Sequence, residues 1–460
     1  MAADISMIEP TVRSLREYFA SGATKPRIWR QEQLEALRAL VAENTRELLG
    51  ALYADLHKSA TEAQMTEIGI TLDAIDHSLK NLARWTAPRR LPLPLTLAPG
   101  KAATVREPLG TVLIIAPWNY PVQLLLVPLV GALAAGNTVV LKPSEVTPTV
   151  SSLIARLVPN YLDSQAVRVI EGGVEETTQV LAQRYDHIFY TGNGQVGRVV
   201  ARAAAEHLTP ITLELGGKSP TLVEPGIDLV TAARRIVWAK FINAGQTCVA
   251  PDYLLAIDGV EKDLVPELQA AITEMFGQNP QQSPDYGRMV NDRHFQRVSG
   301  YLDDGEILQG GRIDAAEKYI EPTLLKPASL KAPVMTQEIF GPLLPIVTVA
   351  SLDEAIDFIN ERDKPLALYG FVQPQNQQRL VAETSSGGLV FGAGLVHLSP
   401  HNWQFGGVGE SGMGAYHGEK SVEIFSHEKT VFIKPLTPDT LRLIYPPYTG
   451  LKGKLLGRII

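Results

Sequence analysis

Between Glu107 and Lys142 the chain carries no charged residue. A membrane span needs about 20 consecutive apolar residues. This stretch, however, is broken by Pro108, Gly110, Pro117, the run Trp118-Asn119-Tyr120-Pro121, Pro128, Gly131 and Gly136-Asn137. Such punctuation predicts a buried strand over Thr111–Ala116, a turn, a short apolar helix and a second strand over Thr138–Leu141. Parallel strands covered on both faces read as continuous apolar runs because neither face meets water. Strand and helix alternate as far as 215, which predicts an α/β fold built on a doubly wound parallel sheet.

The flanking regions differ in character. Residues 11–84 alternate charged and apolar positions at helical spacing, as in Gln31–Leu56, and predict amphipathic helices. Residues 85–106 are rich in proline and suit an exposed ribbon or an edge strand, not a central one. A second α/β pattern runs from about 216 to 400. It is followed by the glycine-dense loop Phe405–Gly414 and a short tail. The chain has 460 residues and a formal net charge of −7, so nothing marks a binder of nucleic acid. Its one cysteine excludes an internal disulfide and a cysteine-rich metal site. The first twenty residues carry acids and lack an apolar core, which predicts no secretory signal and a cytoplasmic, reducing setting.

Gly192-Asn193-Gly194-Gln195-Val196-Gly197 matches the pattern G-x-G-x-x-G. It follows a predicted strand over His187–Tyr190 and opens a predicted helix over Val196–Glu206. In that context glycines let the backbone approach a pyrophosphate, and the helix N-terminus favours its negative charge. A glycine-rich turn that merely packs a helix on a sheet is the bland alternative. The same fingerprint expects an acid about 20 residues on, bound to ribose hydroxyls. Glu214 stands 22 residues after Gly192, so a mechanical reading makes it a ribose ligand.

Cys248 lies in Phe241-Ile-Asn-Ala-Gly-Gln-Thr-Cys248-Val-Ala-Pro251, a polar, glycine-containing run that suits an accessible loop. A thiolate attacks carbonyl carbon well, although a lone cysteine is more often an inert buried residue. Five runs then occur in order: Pro117-Trp118-Asn119-Tyr120-Pro121, Leu141-Lys142-Pro143-Ser144-Glu145, Leu213-Glu214-Leu215-Gly216-Gly217-Lys218-Ser219-Pro220, Gly245-Gln246-Thr247-Cys248 and Glu338-Ile339-Phe340-Gly341-Pro342. In them, and over nearly its whole length, the chain resembles the aldehyde dehydrogenase superfamily. Thr24-Lys25-Pro26, Ala250-Pro251-Asp252-Tyr253 and Gly412–Gly418 resemble its class 3 branch, which includes fatty-aldehyde dehydrogenases.

The resemblance implies a Rossmann-like cofactor domain (1–84 and 107–213), a catalytic domain (214–402) and a return to the cofactor domain (403–430). It also implies an oligomerisation arm made of a β-ribbon (85–106 and 431–449), followed by a C-terminal tail (450–460). Cys248 would form a thiohemiacetal and then a thioester, with Asn119 and the Cys248 backbone N–H holding the oxyanion and Glu214 activating the hydrolytic water. Lys142 and Glu338 would hold ribose hydroxyls, Phe340 would pack near the nicotinamide, and Gly192, Val196 and Gly197 would follow the pyrophosphate. Glu145, an acid near the adenine ribose, would disfavour a 2′-phosphate. NAD is therefore the first cofactor expected, with NADP open. Read singly, Glu214, Lys142, Glu338 and Asn119 could each be a turn or surface residue.

Several expectations rest on less. Val390–His397 stands where the family has an Asn-rich segment, and Gln404 where it usually has proline, which leaves the shape of the aldehyde pocket open. A medium- or long-chain apolar aldehyde is expected from the class 3 resemblance alone, as is a homodimer. The tail from 441 onward has four basic residues and no acids, which suits peripheral contact with a membrane surface. His397 and His401 flank Pro400, so no helical metal pair is expected. A coenzyme A-acylating dehydrogenase and a thiol esterase are the competing activities. Glu214 argues against the first, and the Gly192–Gly197 loop, Lys142 and Glu338 argue against the second.

Overall fold

The computed structural model describes residues 3–450. Two sheets organise the chain. A six-stranded sheet runs in the order Gly412–Met413, Ile211–Glu214, His187–Thr191, Thr111–Ile115, Thr138–Lys142, Val167–Val169, all parallel except the Gly412–Met413 edge. The expected doubly wound arrangement is present. The chain winds outward from Thr111–Ile115 to Val167–Val169, then returns beside its start at His187–Thr191. That return creates a switch point, where a crevice opens outside the carboxyl ends of the strands.

The uncharged stretch occupies the middle of this layer. Thr111–Ile115 and Thr138–Lys142 are wholly buried, and so is the intervening helix Gln123–Ala135, which Gly136 closes in a left-handed conformation (φ 94°). Predicted strand ends shift by a residue because Lys142 still pairs with Ile115. The helix expected from Val196 begins at Gly194, since the Asn193 side chain accepts from Val196 N at 2.9 Å and caps it.

A seven-stranded sheet follows, in the order Gly305–Gln309, Thr323–Pro327, Leu343–Val349, Tyr253–Ile257, Pro220–Val223, Ala367–Phe371, Gly388–Phe391. Only the pairing of Gly305–Gln309 with Thr323–Pro327 is antiparallel. The two sheets are joined directly from Glu214 to Pro220.

The Pro-rich region departs from expectation. Lys101–Pro108 is the central strand of a three-stranded antiparallel ribbon, between Arg89–Leu91 and Ser426–Ile433. Pro88, Pro92, Pro94 and Pro99 lie outside it and its own proline, Pro108, is its last residue, so residues 101–107 keep their donors for both neighbours. Its long partner begins at Ser426, five residues before the expected 431. Buried Arg106 fastens this ribbon to the body, reaching Glu419 at 2.9 Å, Glu423 at 2.8 Å, Glu428 at 3.0 Å and the Trp85 carbonyl at 3.1 Å.

Helices Ile8–Ala20, Arg27–Glu43, Thr45–Leu56 and Gly69–Thr86 pack over the six-stranded sheet as amphipathic elements. Among the described residues no helix is long and apolar enough to cross a membrane. Residues 451–460 of the basic tail lie outside the described residues.

Candidate functional site

The carboxyl ends of the parallel strands gather most of the residues singled out in the sequence. Lys142 ends one strand and Glu214 another, Gly192 follows a third, and Asn119 lies in the turn after Thr111–Ile115. Cys248 arrives from the second sheet, between helix Leu229–Phe241 and strand Tyr253–Ile257.

Two turns interlock at the centre. The Asn119 side-chain amide donates to the Gln246 carbonyl at 3.0 Å, and the Asn243 amide donates to the Asn119 carbonyl at 2.9 Å. The Tyr120 hydroxyl meets Thr247 Oγ1 at 2.7 Å. Asn243 and Ala244 both adopt left-handed backbone (φ 54° and 51°), a conformation that non-glycine residues hold only when their surroundings fix it. Here they are fixed on several sides. Gln246 donates to the Asn243 and Arg288 carbonyls, each at 3.0 Å, and accepts from Val290 N at 3.0 Å.

The loop was expected to be accessible because it is polar. Instead its polar groups are turned inward, and of residues 241–250 Cys248 alone is partly exposed. Its thiol is pushed up to about 12, by burial first and then by the Glu338 and Glu214 carboxyls, while the N–H groups of Cys248 and Val249 pull it down. A nucleophile in this setting is protonated until a positive charge or a base acts on it.

Glu214 is 2% exposed, and neither carboxylate oxygen has a hydrogen-bond partner among the described residues. Burial alone raises its carboxyl well above the ordinary range. Electrostatically it is felt at Cys248 and at Tyr416. Unpaired buried carboxyls are costly and cluster where proton transfer is performed.

The crevice fits a dinucleotide. A Cβ at Gly192 would lie 2.2 Å from the Tyr190 hydroxyl oxygen, so only glycine leaves the backbone open there. Val196 is exposed in the first turn of the helix, with Gly197 buried behind it. Lys142 Nζ is buried, donates to the Pro143 carbonyl at 2.9 Å and lies 3.8 Å from Glu145, whose side chain is half-exposed. Burial lowers its pKa, and Glu145 and Glu176 partly restore it.

Glu338 accepts from Gly217 N at 3.3 Å, and its carboxyl is raised to about 8 by burial first and Asp252 second. Phe340, in left-handed backbone (φ 48°), sets its ring edge-on against Trp118 at 5.3 Å. These contacts bring the Glu338–Phe340 segment onto the turn that carries Asn119.

Sequence reading missed the supports of the site. Lys218 pairs with Asp252 and donates to the Val334 and Gln337 carbonyls at 2.9 and 2.8 Å, while Asp252 accepts from Ile339 N at 3.1 Å. Lys218 lay inside a quoted run and could have been flagged. Lys58, Glu62 and Glu67, buried among amphipathic helices, offered no such signal. Among the described residues no group of three or more His, Cys, Asp or Glu is placed to hold a metal ion.

The crevice thus draws Cys248, the Asn119 amide and the buried, unpaired Glu214 carboxyl into one region, a set of groups suited to enzyme chemistry. The aldehyde dehydrogenase family profile matches residues 2–431, and the chain belongs to that family. It is 47% identical over 445 residues to the dimeric NADP-preferring aldehyde dehydrogenase of Canis lupus familiaris, covering 96% of this chain and 98% of that one. It is 47% identical to aldehyde dehydrogenase family 3 member A2 of Macaca fascicularis, covering 97% and 92%. These relatives place it with the class 3 branch. The substrate-bound structure of Staphylococcus aureus AldH superposes with a TM-score of 0.96 at 45% identity, covering 98% of this chain and 99% of that one.

Proposed function

We propose that the protein oxidises an aldehyde to its carboxylic acid through a covalent thioester on Cys248, using NAD and accepting NADP. The observation that carries this reading is the buried, unpaired carboxyl of Glu214 beside the one partly exposed residue of the Cys248 loop.

Cys248 loses its thiol proton to solvent water and attacks the carbonyl carbon as the thiolate, the carbonyl π electrons passing to the oxygen as an oxyanion. One Asn119 amide N–H is committed to Gln246. The other, with the Cys248 backbone N–H, takes the oxyanion, an arrangement whose loss elsewhere costs roughly 3–4 kcal/mol. A nicotinamide cofactor held in the crevice would supply the hydride acceptor and a positive charge to offset the Glu338 and Glu214 carboxyls, which raise the Cys248 thiol. Lys142 and Glu338 would hold its ribose hydroxyls, Phe340 would flank its ring, and Gly192, Val196 and Gly197 would follow its pyrophosphate. Glu145 disfavours a 2′-phosphate without excluding it, because its side chain is half-exposed. Glu214 then takes a proton from the water that hydrolyses the thioester.

The favoured substrate is a medium- or long-chain apolar aldehyde, supported by similarity to family 3 relatives. The working form is a homodimer joined through the ribbon, supported by the name of the dog relative and by exposed Leu95, Leu97, Phe432, Ile433 and Leu436 on or beside the ribbon. A cytoplasmic setting keeps the single thiol reduced.

Steady-state NADH formation from decanal tests the reading. The native protein turns over and Cys248→Ala does not; equal rates would sink the thioester route. A panel of aldehydes tests the apolar preference, which fails if short aldehydes win by kcat/KM.

A further inference from the structure

The turn that carries Asn119 is held from behind by charges that the chemistry above does not use. Lys58 and Glu67 are fully buried and form an ion pair at 2.5 Å. Lys58 Nζ also donates to the Asn119 carbonyl at 2.9 Å and sits 3.9 Å over the Tyr120 ring. The second oxygen of Glu67 accepts from Val122 N at 2.8 Å and Gln123 N at 3.2 Å, the N–H groups that open helix Gln123–Ala135. Glu62, from the same segment, accepts from Asn243 N at 3.0 Å, inside the left-handed turn that leads to Cys248.

Residues five apart on an α-helix point about 140° from one another at about 100° per residue. Glu62 and Glu67 nevertheless reach toward the same two turns. The reason is a single π-helical turn over Gln64–Ile68, in which one extra residue per turn rotates Glu67 round to the site. Burying charged side chains beside one turn is expensive unless they are paired and hydrogen-bonded. Lys58 and Glu67 pair with each other, and Glu62, its carboxyl raised to about 7 by burial, takes the bond from Asn243 N.

We infer that Lys58, Glu62 and Glu67 act as a positioning clamp that fixes the Asn119 amide relative to Cys248. Their bonds reach both sides of the oxyanion site: Lys58 and Glu67 hold the Asn119 turn, and Glu62 holds the Asn243–Cys248 turn. The inference rests on the proposed role of Asn119. Misplacement of a reacting group by about 1 Å can cost on the order of 100-fold in rate, so loosening the clamp slows acylation, and with it thioester hydrolysis, whose tetrahedral intermediate needs the same donors. The Glu214 carboxyl itself is held independently by the Ile211–Glu214 strand.

The test is the rate of the first NADH turnover with decanal in four proteins. These are native, Asn119→Ala, the paired variant Lys58→Met/Glu67→Gln, and the triple combination. The paired variant removes both buried charges together and leaves an amide oxygen for Val122 and Gln123 N–H. Lys58→Arg retains the charge against Glu67 and serves should the paired variant fail to fold. The expected result is a first turnover slowed about 10- to 100-fold in the paired variant, with NAD affinity unchanged. Added to Asn119→Ala, the same change costs almost nothing more, because both act through one amide. A multiplicative loss in the triple variant, or an unchanged first turnover in a folded paired variant and in Lys58→Arg, overturns the clamp alone. An unchanged first turnover in Asn119→Ala overturns the oxyanion role, and the clamp with it.

Discussion

Asn119 and Gln246, 127 residues apart, are joined by one hydrogen bond of 3.0 Å from side-chain amide to carbonyl, two residues before Cys248. The bond fixes the plane of the amide and commits one of its N–H groups, so the proposed oxyanion contact falls to the other. Asn119→Ala is therefore expected to slow acylation by about 100- to 1,000-fold. The Asn243 amide still reaches the Gln246 carbonyl at 3.2 Å, so folding should survive. Rapid-quench NADH formation with decanal measures the effect. A first turnover at the native rate would remove Asn119 from the chemistry.

Glu214→Gln is expected to release about one NADH per site and then stall, since hydride transfer precedes the need for a base. In the native protein burial lifts the Glu214 carboxyl well above its ordinary value. The ionised, active form accordingly accumulates only as pH rises beyond the usual carboxylate range. Deacylation should climb with pH through that region and be flat in Glu214→Gln. Normal turnover with a greatly increased NAD requirement would instead make Glu214 the ribose ligand of the dinucleotide fingerprint.

Gly216 stands directly against Glu338: a Cβ there would lie 2.2 Å from Oε1. Gly216→Ala should push the carboxyl aside and mimic Glu338→Gln, each weakening NAD binding about 10- to 100-fold if one charged hydrogen bond is lost. Fluorescence titration of cofactor reads this, and the double variant should be no worse than either single one. Independent losses would separate Glu338 from the cofactor.

Glu62 is raised to about 7 by burial, against the downward pull of Lys58 and of the bond from Asn243 N. Between its ordinary value of 4.5 and about 7 the folded protein binds more protons than the unfolded chain at this position. Stability contributed here thus falls as pH rises through that window, by up to about 1.4 kcal/mol per pH unit. Glu62→Gln retains the acceptor for Asn243 and should flatten the slope. Urea unfolding of both proteins at pH 5, 6 and 7 gives the comparison, and parallel slopes would refute it.

How much of this could be read from the sequence depended on contiguity. Asn119, Lys142, Glu214, Cys248 and Glu338 sit in short turn-forming runs whose glycines and prolines mark strand ends, and the doubly wound order followed from apolar runs between them. The ribbon was legible as an extended segment but not in its centre. Proline density suggested an edge, whereas the proline-free residues 101–107 form the middle strand. The clamp was hidden altogether. Lys58, Glu62 and Glu67 look like the solvent side of a helix, and the π-helical turn that faces Glu67 inward leaves no periodic trace.

The direct join from Glu214 to Pro220 has a mechanical consequence. Glu214, the proposed base, ends a strand of one sheet and Cys248, the proposed nucleophile, comes from the other, so their separation is set by how squarely the two layers meet. Slight slippage between the layers removes catalysis while every strand and helix remains intact. Turnover is thereby a finer gauge of interlayer alignment than any measure of secondary structure, and under rising pressure or dilute denaturant it should fade first.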